Sequence, residues 1–171
     1  MVSERARLFR PVLAYALVML IVFLGVGVLY REFSKAFLGG GAEDVVPAFY
    51  LSLSHGHALL MGALIPMALL FAVIVAEQLG ARDIDYAGLR KAFIMYAIGS
   101  LAAIGLLIYK GLGIIYYYSA LGSMELADQA LFLGSHALRE SLYGTAHLIM
   151  GAGLVWYVAK VLATLKKVQS K

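Results

Sequence analysis

The chain has 171 residues, 63% of them hydrophobic and 14% charged, with a net charge of +4. So apolar a composition belongs to an integral membrane protein, and the absence of cysteine excludes disulfides, thiolate metal sites, iron–sulfur clusters and covalent c-type haem attachment. The basic residues sit at the ends of apolar runs, so the positive charge marks membrane sidedness and no nucleic-acid partner is expected.

Apolar runs of about 20 residues, the length needed to cross the hydrocarbon, cover 12–30, 53–76, 92–109 and 142–159. They predict a single all-α transmembrane domain over 1–171, an integral membrane four-helix bundle in the cell membrane. The first run follows Arg5, Arg7 and Arg10 and ends in Tyr30-Arg31-Glu32-Phe33, with no small-residue cleavage site, so it is expected to be a retained helix and not a signal peptide. Ten Lys and Arg lie on the side of the termini and of the 77–91 connection, against Arg31, Lys35, Lys110 and Arg139 on the other. The positive-inside rule then puts both termini in the cytoplasm and the two longer connections outside.

In the first external connection, Gly39-Gly40-Gly41 predicts a turn, with Asp44 capping a helix that starts near Pro47. Pro66, in the middle of the second span, is expected to remove a hydrogen bond to the Gly62 carbonyl and to bend the helix. Tyr116-Tyr117-Tyr118 reads as an interfacial aromatic belt, and 124–138 as an amphipathic helix in the second external connection. The carboxylates, at helix ends or in loops, read as solvated.

Two spans carry versions of one phrase, His57-Ala-Leu-Leu-Met61 in the second and His147-Leu-Ile-Met150 in the fourth. Tyr30-Arg31 and Tyr109-Lys110 likewise close the first and third. The pattern is that of two duplicated hairpins related by an axis along the membrane normal, with the second and fourth helices facing one another. Histidine inside a span is costly without a task. His55 and His57 lie about 200° apart on a helix, so only one of them aims at the bundle. Met61, one turn on, selects His57. His136 is eleven residues before His147, in the inserted loop.

Neutral imidazole is the commonest axial ligand for b-type haem. The chain therefore reads as a membrane cytochrome with haem b between the second and fourth helices near the external face. His57 and His147 are the iron ligands, Met61 and Met150 pack beside the ring, and His55 is an outer partner or alternative ligand. Arg31, Lys35, Lys110 and Arg139 are the cations at the right edge for propionates. Such a site suits electron transfer with a quinol or respiratory-chain partner, or diatomic gas binding if one axial position is open. A non-catalytic accessory subunit of a respiratory or transport complex is a second reading, and a copper or zinc site built from His55, His57 and His147, with His136 as a further candidate ligand, a third. Small residues on the helices predict self-association or incorporation into a complex.

Tyr30-Arg31-Glu32-Phe33-Ser34-Lys35, His55-Gly56-His57 and Gly144-Thr145-Ala146-His147, in this order, resemble a family of short four-helix bacterial and archaeal membrane proteins of unknown function. Its members carry Tyr-Arg-Glu-Phe-Thr-Lys, His-Thr-His and Gly-His motifs. The resemblance implies that Arg31, Glu32, His55, His57 and His147 belong to one site, and it supplies no activity. The His-x-x-x-Met phrase is also similar to the haem-ligating second helix of haem–copper oxidases and nitric oxide reductases.

Overall fold

A computed structural model describes residues 3–41 and 44–169. Four helices are long and apolar enough to cross a membrane: α1 (Glu4–Phe37), α2 (Val45–Gln78), α3 (Tyr86–Leu121) and α5 (His136–Gln169). A short α4 (Met124–Gln129) precedes α5. All four helices extend beyond the runs read from hydropathy, because helix geometry continues past the apolar boundary wherever a cap or an ion pair supports it. Ser3 caps α1 by accepting from the Ala6 N–H, and Asp85 caps α3 by accepting from the Gly88 N–H.

The centre of the bundle is α3. On one flank α1 packs against α2 and α3; on the other, α5 lies along α3 and meets α2 through the segment Ile65–Gln78. Glycines set the closest approaches. A Cβ on Gly99 would come within 2.7 Å of the Ala146 carbonyl oxygen, and one on Gly153 within 2.8 Å of that of Ala92, so α3 and α5 touch backbone to backbone. A parallel duplication would set α5 against α1 as α2 sits against α3. No comparable α5–α1 interface exists among the described residues, so the echo between the hairpins does not extend to symmetric packing.

The expected bend at Pro66 takes another form. Ala58–Leu64 is a turn of π-helix, in which the Ile65 N–H reaches back to the Leu60 carbonyl. Pro66 then opens the following α-helical segment, where its missing N–H is tolerated. The carbonyl released by this shift is that of Met61, not Gly62. It accepts hydrogen bonds from the Tyr96 hydroxyl and, at 3.4 Å, from Ser100 Oγ, both buried on α3. A polar group deep in a membrane bundle is thus satisfied by the neighbouring helix.

Two further expectations are corrected. Asp44 does not cap α2; its Oδ2 accepts from the Gly41 N–H at 3.0 Å and closes the glycine turn instead. The predicted 124–138 helix is broken: α4 ends at Gln129, and Phe132 and Leu133 take φ values of 51° and 57° in a tight turn before α5 begins at His136. Helix α5 therefore starts six residues earlier than hydropathy indicates, and His147 lies well inside it.

Several carboxylates are tied to other helices. At the end bearing the termini, Glu77 takes a bidentate bond from Arg5 (2.8 and 3.0 Å) and one from the Tyr86 hydroxyl (2.6 Å), while Asp85 pairs with Lys160. At the opposite end, which carries the connections 38–44 and 122–135 and is called the loop end below, Asp128 bridges Arg139 and Lys110. Lys110 also sits 4.5 Å from the centroid of the Tyr50 ring. Burial raises the Asp128 carboxyl pKa, but the two cations outweigh it and hold it below the ordinary value.

Candidate functional site

Histidines 55, 57 and 147 share one local chemistry. The Nδ1 of His57 is 2.7 Å from the Leu53 carbonyl and that of His147 is 2.8 Å from the Tyr143 carbonyl, each one turn back on its own helix. The Nδ1 of His55 is 2.8 Å from the Phe23 carbonyl on α1. A carbonyl only accepts, so Nδ1 carries the proton in all three. In the neutral ring Nε2 then presents a bare lone pair, the tautomer that metal-binding imidazoles use.

The three differ in where they stand. His55 is stacked on Phe23, with ring centroids 4.0 Å apart, and occupies a notch left by Gly27, where a Cβ would lie 2.8 Å from its Cε1. It joins α2 to α1. His57, about 160° round the helix from it, is half-buried on the flank turned away from α1, the side on which α5 meets α2 further along, at Ile65–Gln78. His147 is exposed on α5. Ala58 and Ala146, the sequence neighbours of His57 and His147, belong to one buried cluster with Ala103 and Met61. Stepping about 100° from each alanine carries both histidines to the side where α2 borders α5.

Their heights follow from the contacts with α3. Leu51 lies against Gly111 and the Met61 carbonyl against Tyr96 and Ser100, which sets His57 level with residues near 104. Gly99 lies against Ala146 and Met150, and the Tyr143 hydroxyl donates to the Leu106 carbonyl at 2.9 Å, which sets His147 near residue 100. The offset is about 6 Å at 1.5 Å per residue, less than the roughly 10 Å obtained by counting along the sequence from Glu77 and Lys160. Among the described residues, no three His, Asp or Glu side chains form a metal-binding group.

The remaining predicted site residues fall elsewhere. Met61 is 6% exposed and packed with Met19 and Ala103, while Met150 is half-buried against the same cluster. Arg31 is exposed and 3.3 Å from Glu32, which also pairs with Lys35. Lys110 and Arg139 are engaged by Asp128 and so are not the free cations expected. His136, the first residue of α5, has Nδ1 2.7 Å from the Arg139 guanidinium. Tyr96 and Ser100 were not singled out by sequence; their signal was a polar pair one turn apart in an apolar span.

These features define a four-helix membrane protein with imidazoles presented from its second and fourth long helices. The chain belongs to the family described as "Protein of unknown function (DUF2871)", whose model matches residues 9–164. No curated protein and no solved structure matches it.

Proposed function

We propose that the protein is a membrane b-type cytochrome that holds haem on the flank between α2 and α5, where His57 and His147 would hold the iron. The observation that carries this reading is the shared tautomer. Each ring is anchored through Nδ1–H to the carbonyl one turn back, which leaves Nε2 as the bare acceptor. The donor set fits: two neutral imidazoles are sufficient, and no thiolate is needed. The carbonyl bonds fix ring orientation and raise imidazole basicity. Ala58, Ala103 and Ala146 keep the floor between the helices low, and Met61 and Met150 line its inner edge. His55, held on α1, is a packing residue in this reading.

When bound, haem supplies a one-electron couple suited to electron transfer. The propionates would be solvated, since Lys110 and Arg139 face Asp128 and Arg31 stands on α1, on the opposite flank of α2.

Purification from cells replete with porphyrin, followed by absorbance and metal analysis, tests the reading. The expected preparation has an intense Soret band that His57→Ala and His147→Ala abolish and His55→Ala retains. A colourless protein containing copper or zinc favours the imidazole metal site. A colourless, metal-free protein that copurifies with respiratory or transport subunits favours the accessory role.

A further inference from the structure

The TM-spanning flank described above leaves one motif unused, the segment Tyr30-Arg31-Glu32-Phe33-Ser34-Lys35. It forms one wall of a concavity at the loop end, of about 510 Å³, between α1 and α2 and lined by Tyr30, Ser34, Lys35, Asp44, Phe49 and Ser52. Its size is that of a small-molecule site. The residues follow helix spacing on both walls: Phe23, Gly27, Tyr30 and Ser34 form a stripe on α1, and Val45, Ala48, Ser52 and His55 one on α2. The cavity therefore opens along the same seam that His55 and Phe23 close about one turn further in.

The chemistry of the walls narrows the occupant. Ser34 adds to the wall, but its Oγ is sealed from the cavity. Ser52 and the Tyr30 phenol supply the uncharged donors, and Phe49 and Tyr30 add flat apolar surface. Charge is balanced: Lys35 pairs with Glu32 at 3.6 Å, Arg31 with the same carboxylate, and Asp44 adds a second carboxylate to the lining. A phosphate headgroup would meet no net cation. A neutral planar ring with two carbonyl oxygens matches hydroxyl donors and aromatic walls, and a lipid tail could leave between the helices into the bilayer.

We infer that this cavity binds the head ring of a membrane quinone, with the Tyr30 and Ser52 hydroxyls donating to its carbonyl oxygens. The inference does not depend on haem being present.

The test is photolabelling with an azidoquinone of the intact protein in nanodiscs of phosphatidylcholine and phosphatidylglycerol free of quinone. The expected result is label confined to peptides covering 30–52 and displaced by excess short-chain quinone. Tyr30→Phe should weaken displacement about fivefold, one neutral hydrogen bond's worth, and Ser52→Phe, which fills the cavity, at least tenfold. Helicity and elution volume identify variants that fail to fold, and the competition on unmodified protein stands without them. Label that resists excess quinone, spreads along all four helices, or is displaced equally by short-chain phosphatidylglycerol overturns the proposal.

Discussion

Replacing Tyr96 by Phe isolates the energetic consequence of the π-turn in α2. The Tyr96 hydroxyl is the main donor to the Met61 carbonyl, which the i→i−5 register has released and which Pro66, having no N–H, cannot recapture. Ser100 remains, but at 3.4 Å it is a weak substitute. An unsatisfied buried carbonyl costs about 1–3 kcal/mol, and single interhelical hydrogen bonds in membranes measure about 0.6–1.7 kcal/mol. Tyr96→Phe should therefore destabilise the bundle by about 1–2 kcal/mol, and Ser100→Ala by less than half of that. Pro66→Ala supplies an N–H five residues after the released carbonyl. In that background the Tyr96→Phe penalty should fall by about 1 kcal/mol, one net hydrogen bond. Reversible unfolding in mixed micelles with increasing dodecyl sulfate, followed by far-ultraviolet circular dichroism, gives the four corners of the cycle. Equal penalties in both backgrounds, or a larger effect of Ser100→Ala than of Tyr96→Phe, would refute the register argument.

Packing at the glycines separates two classes by the same assay. Gly99→Ala and Gly153→Ala should each cost about 1–3 kcal/mol, because the new methyl meets α5 or α3 backbone that cannot yield. Gly144→Ala and Gly151→Ala, which face open space, should be neutral or stabilising by up to about 1 kcal/mol through helix propensity. At the loop end, the cations of Arg139 and Lys110 hold the Asp128 carboxyl below its unfolded value. The stability this contributes is present above the unfolded carboxyl pKa of about 4 and is lost as pH falls through the lower folded value. Hydrogen exchange in 122–135 should accordingly accelerate in that acid range, and Asp128→Asn should show fast exchange already at neutral pH with little further change on acidification. Gly27→Ala should displace the His55 ring and loosen α1 from α2, seen as faster exchange of α1 amides, while leaving α3–α5 protection unchanged.

Local chemistry made much of this protein legible in advance. Long uninterrupted apolar runs admit only membrane helices, since backbone polar groups in hydrocarbon must be satisfied within the segment. The same runs located His57 and His147 inside spans and showed, from periodicity alone, that His55 and His57 could not share a target. Helix ends were less legible, because the Ser3 and Asp85 caps and the Phe132–Leu133 turn override hydropathy near the membrane surface. Tertiary structure decided whatever depends on helix rotation and depth. Pro66 announces a disturbed hydrogen bond, but only the neighbour's Tyr96 determines which carbonyl is released and how it is satisfied. Gly27 becomes a notch for His55 only when α1 lies opposite it, and Asp128 becomes a bridge only when the loop folds over Lys110. Sequence periodicity specifies the direction of each side chain about its own axis; partners across axes follow from the packing of whole helices, which no single span encodes.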